Sequence, residues 1–410
     1  MNEYTRSTPQ SASPLVLGYA KRANGAGGVA LGTTAKYDST QAAPHVLEHR
    51  RSRWALQNKA ARLLPHERVS YCMRAVQPQA MGVTILYTAQ TQTAHYGGLE
   101  TCGSVWACPI CAAKVTERRR QELAQAVKAA KAQGLQVVMC TFTFSHHRGD
   151  HLQVMMDAMR AAFKRYKGGR AAEKLRKLYA LVGTVRALEI MHSEDNGWHP
   201  HIHELCFLPK EIDAQAFGRV CRSAWQRAAN LSGLTMNEHG FKLDTCDSRI
   251  VEYITKWGRD PKESTQAAWD AGWNESMELT KWHIKKGRSA ARDGSEHVTP
   301  FGLLRYAAAG DDRAGQLFQE YAHCFKGLRQ LHWSPLLREL LGLGDEKSDE
   351  ELAEEQQEEA AAIAYISGSQ WAIVLANDCR AELLEVASTG NAEKVWAFLG
   401  ELGIGLLLCI

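Results

Sequence analysis

No G-x4-G-K-[ST] phosphate loop occurs anywhere in the 410 residues, so the chain carries no nucleotide-driven motor of its own, and any helicase it needs is a separate protein. It also lacks a long apolar run. The longest, AFLGELGIGLLLCI at 397–410, is broken by Glu401 and is too short to span a bilayer. The first residues, MNEYTRSTPQSASP, show no basic stretch followed by an apolar one, so no secretory leader is expected. Eleven Cys are an odd number, and Cys140, Cys206 and Cys324 sit singly inside apolar runs. A reducing cytoplasm without a membrane is therefore expected, and clustered Cys are read as metal ligands before disulfides.

Net charge is small as well, at +4, but it is unevenly spread. The stretch DEKSDEELAEEQQEE (345–359) contains nine acids and one Lys, which leaves the rest of the chain strongly basic. A basic body suits a nucleic-acid partner. With 45% apolar residues, the chain has material for two or three domains.

Four regions are expected. Residues 1–45 are rich in Ser, Thr, Gln, Ala and Gly and read as disordered. Residues 46–134 hold a basic helix and a Cys-rich module. Helical spacing over His45–Leu64 gives one face with Arg50, Arg51 and Arg53, either a solvated face or an arm contacting DNA phosphates. A long helix is expected over Lys114–Gln133, ending before Gly134. Residues 135–345 follow the order β-α-β-β-α-β-α, with Asn196-Gly197 as a hairpin turn, which is a split-βαβ, ferredoxin-like α+β arrangement with an antiparallel sheet. Residues 346–410 read as an acidic linker, either a solvated helix or a connection, then an apolar helical tail, a small bundle or a surface for a homodimer.

Three constellations carry chemistry. His199, His201 and His203 alternate in HPHIHELCFL, so on a strand their rings share one face, and two of them can hold one divalent ion. Glu189, on the preceding strand, can add an oxygen ligand across the hairpin. Which pair binds is open: Pro200 separates the first two rings and Ile202 the second two. Tyr253, Lys256 and Trp257 share one face of a short helix, RIVEYITKWG. A phenol attacks phosphorus when a neighbouring ammonium or a bound metal favours the phenolate. Cys108-Pro-Ile-Cys111, with Cys102 and Cys72 upstream, offers four thiolates for a structural Zn2+; the alternative is buried free thiols.

The motifs HPHIHEL, CTFTFSH (140–146) and EYITKWG, in this order, resemble those of rolling-circle plasmid replication initiators of the Rep class 1 type, within the HUH endonucleases. CGSVWACPICAAKVTERR (102–119), MELT (277–280), TPFGLL (299–304) and FKGLRQLHWSPLLREL (325–340) extend the resemblance over roughly residues 66–355. The resemblance implies an enzyme that nicks and rejoins one DNA strand through a 5′-phosphotyrosine. In it Tyr253 is the nucleophile, Lys256 the basic residue after it, and His201 and His203 the ligands of Mn2+ or Mg2+. Its partners would be a double-strand origin, single-stranded plasmid DNA, a host helicase and a host polymerase. Some relatives carry a Glu four residues before the Tyr to end replication by hydrolysis; here that position is Arg249, and Glu252, Asp247 or Asp244 would have to substitute. Two other readings stand beside this one: a single-strand transposase or relaxase using the same chemistry, and a non-catalytic, zinc-dependent DNA-binding regulator.

Overall fold

The computed structural model describes residues 44–245, 297–354 and 360–405, with side chains from Ser52 onward. Tyr253, Lys256 and Trp257 lie outside the described residues, as do the side chains of Arg50 and Arg51.

The fold is mixed α/β with two antiparallel sheets. Helix α1 (Pro44–Leu63) leads into a hairpin of β1 (Gly82–Thr88) and β2 (Thr93–Gly97). Helix α2 (Pro109–Ala132) begins earlier than the apolar periodicity predicts. The reason is local: the Cys108 side chain caps it by accepting from the Cys111 amide, and Pro109 occupies the first turn, where its missing N–H costs nothing.

The second sheet follows. It comprises β3 (Leu135–Phe142), then α3 (Leu152–Lys167) and α4 (Gly169–Leu178), the hairpin β4 (Gly183–Ser193) and β5 (Gly197–Pro209), α5 (Ala214–Asn230) and β6 (Phe241–Thr245). After the undescribed stretch come α6 (Pro300–Ala308), α7 (Asp312–Phe325) and the edge strand β7 (Leu331–Trp333). The strand order is β6-β3-β5-β4-β7, and every neighbouring pair is antiparallel.

Alternation along β5 sorts this sheet into two faces. Ile202, Cys206 and Leu208 enter a large core shared with Phe163 of α3 and Trp225 of α5. Leu205 and Phe207 enter a smaller core on the other face, with Leu123 and Val127 of α2. The register therefore puts the three histidines on the α2 face, beyond the end of that smaller core. Trp225 is fully buried and donates its indole N–H to Thr143 O at 2.9 Å, which makes it a core residue.

Past β7 the chain forms short helices α8 (Leu337–Leu340) and α9 (Asp349–Glu354), then β8 (Ala361–Ser367), α10 (Gly368–Ala376), α11 (Arg380–Ala387) and α12 (Ala392–Glu401). Here the expectation of an all-helical tail is corrected. Residues 361–367 form a strand that completes the first sheet in the order β2-β1-β8, pairing Val83 with Ile366 and Thr84 with Tyr365. Burying Ala364 and Ile366 against Val83 and Ile85 outweighs the helical pattern of the segment. The acidic tract also departs from a solvated linker, since Leu352 and Ala353 are buried.

Candidate functional site

Two groups of side chains can hold ions or carry chemistry. In the first, Cys72, Cys102, Cys108 and Cys111 are all buried and their sulfurs all lie within 4.8 Å of one another. Cys111 Sγ is 3.5 Å from that of Cys72 and 3.7 Å from that of Cys102, and Cys108 Sγ is 3.6 Å from that of Cys72. Four sulfurs around one tetrahedral ion with metal–sulfur bonds of about 2.3 Å would be roughly 3.8 Å apart, so the arrangement fits a metal centre. Hydrogen bonds from the other three sulfurs hold the Cys111 thiol well below the ordinary range, while burial pushes the Cys108 thiol up. A site that already shares its protons this way gives them up to a cation readily. Three of the four ligands surround the start of α2, and Cys72 comes from the turn before β1.

The second group lies on the histidine strand. Glu189 of β4 stands directly opposite His201 of β5, and His203 stands between Ala187 of β4 and Thr141 of β3. His203 Nε2 meets Glu189 Oε2 at 2.6 Å, and its Nδ1 is 3.1 Å from Thr141 Oγ1. Both side chains are about 95% buried. His199 and His201 are half-buried, with ring centres 4.1 Å apart, whereas His201 and His203 are 6.0 Å apart. Burial, then the neighbouring His146 and His297, lowers the His199 imidazole to about 3, so it stays neutral, which is the form that binds metals.

These imidazoles and the carboxylate suit a borderline divalent ion, although among the described residues only the four thiols bring three or more donors within 4.8 Å of one another. Two pairwise contacts stand out instead, His203 with Glu189 and His146 with His199. Sequence reasoning missed His146. It lies four residues past the end of β3, and its only signal was its place at the end of CTFTFSH. The described chain resumes at His297, whose ring is 6.0 Å from that of His199, and Val298 exchanges backbone hydrogen bonds with His192.

Of the proposed DNA-contacting arginines, Arg53 is exposed on α1, next to Trp54, Leu56 and Gln57, which are buried. No described helix is long and apolar enough to cross a membrane.

A family model described as Replication protein matches residues 99–377, well over half of the chain. The chain belongs to the replication protein family. The match runs from the cysteine module through the histidine strand and past β8, so both candidate sites fall inside or at the edge of the family region. Among curated replication proteins, the "Protein rep" of Streptomyces lividans is 26% identical over 335 aligned residues, covering 66% of this chain and 70% of that protein. A "Neomycin resistance protein" of Streptomyces cyanogenus is 30% identical over 142 residues, 29% of this chain and 32% of its own length. No solved structure matches.

Proposed function

We propose that this replication protein starts rolling-circle plasmid replication by nicking one strand at the origin through a covalent 5′-phosphotyrosine, as HUH endonucleases do. Family membership supports a role in replication. The observation that carries the chemistry is the register of β4 and β5, which gathers alternating imidazoles and a buried carboxylate on one face of an antiparallel sheet. The order of β6, β3, β5 and β4 is that of a ferredoxin-like sheet, the frame the resemblance implies.

The residues that would hold the divalent ion are His201 with His203 and Glu189, or His201 with His199. When bound, the ion would withdraw charge from the scissile phosphate. The chain's own residues do the rest. Tyr253 is the nucleophile: its oxygen bonds to phosphorus as the bond to the 3′ oxygen breaks, and the proton taken from the phenol ends on that leaving 3′ oxygen. Lys256 favours the phenolate and pairs with the phosphate. The bond energy kept in the tyrosyl ester allows later rejoining, and the freed 3′-OH primes a host polymerase, with unwinding left to a separate helicase. The four-thiol cluster would take Zn2+ and fix the start of α2. Arg50, Arg51 and Arg53 would contact phosphates of the double-strand origin. A cytoplasmic location follows from that role.

The test is incubation of the full chain with labelled single-stranded origin oligonucleotide. The expected result is a covalent adduct resistant to denaturant, abolished in Tyr253→Phe, and formed at least as fast with Mn2+ as with Mg2+ because imidazole donors favour the former. Binding without an adduct would leave a DNA-binding regulator instead.

A further inference from the structure

The reading above, that the histidine strand holds a divalent ion, is the basis of this inference, which concerns the donors at its hairpin end. We propose that His146 is a metal-ligating residue, and that the imidazoles offered to the ion are His146, His199 and His201.

The tautomer of His146 is fixed by its partner. Its Nδ1 is 3.0 Å from the backbone oxygen of Asn196. A carbonyl oxygen has only lone pairs, so Nδ1 must carry the proton and donate it. The lone pair is therefore on Nε2, and Nε2 is the atom that meets His199 Nδ1. Ligating histidines are commonly oriented in this way, with one ring nitrogen donating to a backbone carbonyl while the other faces the ion.

The backbone holds that orientation rigidly. Beyond β3 the chain continues beside β5: Thr143 Oγ1 donates to Pro200 O at 3.1 Å, and the Ser145 amide donates to Thr235 O at 2.7 Å. The loop then closes, with the His147 amide donating to Asp150 Oδ2 at 2.7 Å. Gly197, in the β4–β5 turn, has φ +72°, and a Cβ there would lie 3.1 Å from the Arg148 backbone. The glycine lets the loop approach the turn closely, which brings His146 within reach of Asn196.

The other end of the strand is committed elsewhere. His203 engages Thr141 with one nitrogen and Glu189 with the other. The rings of His199 and His201 are nearer to each other than those of His201 and His203, and the ring of His146 lies 4.3 Å from that of His199. Three neutral imidazoles, with water completing the shell, select a borderline divalent ion such as Mn2+ over Mg2+ or Ca2+.

Mn2+ is the probe, titrated into full-length protein that retains its cysteine-bound metal and followed by the electron paramagnetic resonance signal of free Mn2+. Affinity is expected to fall at least tenfold in His146→Ala and in His199→Ala. His146→Asn serves as a second variant, because its amide can still donate to Asn196 O and hold the loop. In the wild-type chain, spin-echo modulation of bound Mn2+ should count three coupled imidazole nitrogens. Unchanged affinity in both His146 variants, with binding lost in His203→Ala, would overturn the assignment and leave the nicking reading intact. Conversely, His146-dependent binding with no DNA adduct in the wild type would sustain this inference and remove the nickase.

Discussion

Side by side in β5, His203 and Glu204 point to opposite faces of the sheet and live in different chemistry. Glu204 is buried on the helical face, where Lys167 Nζ lies 2.7 Å away and offsets its charge. His203 is buried on the other face against Glu189. Two further histidines on this sheet are held neutral. Burial and then Arg313 and Arg148 lower His192 to about 4, and burial and then Arg186 and Arg329 lower His332 to about 4. In the unfolded chain these rings take up protons near pH 6.5. Between about pH 6.5 and 4 the unfolded state thus binds more protons, so their contribution to stability is complete above pH 6.5 and is lost as pH falls toward 4. Urea midpoints at pH 7.5 and pH 5 should show the loss, and His192→Gln combined with His332→Gln should shrink the difference between the two. At this scale the histidine strand was legible because period two is a one-dimensional signal. His146 was not, because its role depends on a carbonyl fifty residues away.

Among elements, α2 is the one most strongly braced. Its first turn is anchored by the thiol cluster, and its middle by Arg119. That guanidinium is 4% exposed and contacts Glu122 at 3.1 Å, Asp349 at 3.1 Å and Glu346 at 3.7 Å. Lys114 Nζ adds a hydrogen bond to Ala353 O at 2.5 Å. The acidic tract is thereby drawn onto α2, which sequence alone presented as a solvated run, because the arginine that neutralises it lies more than two hundred positions away. Arg119→Ala, which leaves the three carboxylates without their shared cation, should cost about 3 kcal/mol in urea unfolding. Removing the cysteine-bound metal with a strong chelator, or replacing Cys108 by Ser, should lower the melting temperature sharply and release about one equivalent of zinc. A melting curve indifferent to chelation would show that the thiols do not hold an ion.

Across the whole molecule, the two ends of the described chain close on each other. Strand β8 completes the sheet begun by β1 and β2, and Trp371, Val374, Leu383 and Val395 fill its core beside Trp54 of α1. Buried Arg380 lies over the Trp54 ring at 4.7 Å and donates to Met73 O at 2.8 Å and Gln57 Oε1 at 2.9 Å. Such a two-stranded hairpin is marginal alone, so the first sheet depends on residues nearly three hundred positions downstream. Trp371→Ala should therefore cost about 3–5 kcal/mol, measured by denaturant unfolding, although it lies far from the histidine strand.

The sequence by itself determined the strand and helix order of residues 135–245, the face shared by His199, His201 and His203, and the four cysteines, because each rests on local periodicity or spacing. Only the tertiary structure decided that residues 361–367 are a strand, that the acidic tract docks on Arg119, and that His146 meets His199. Those outcomes turn on partners far apart in the chain, where burial and charge pairing outweigh local preference.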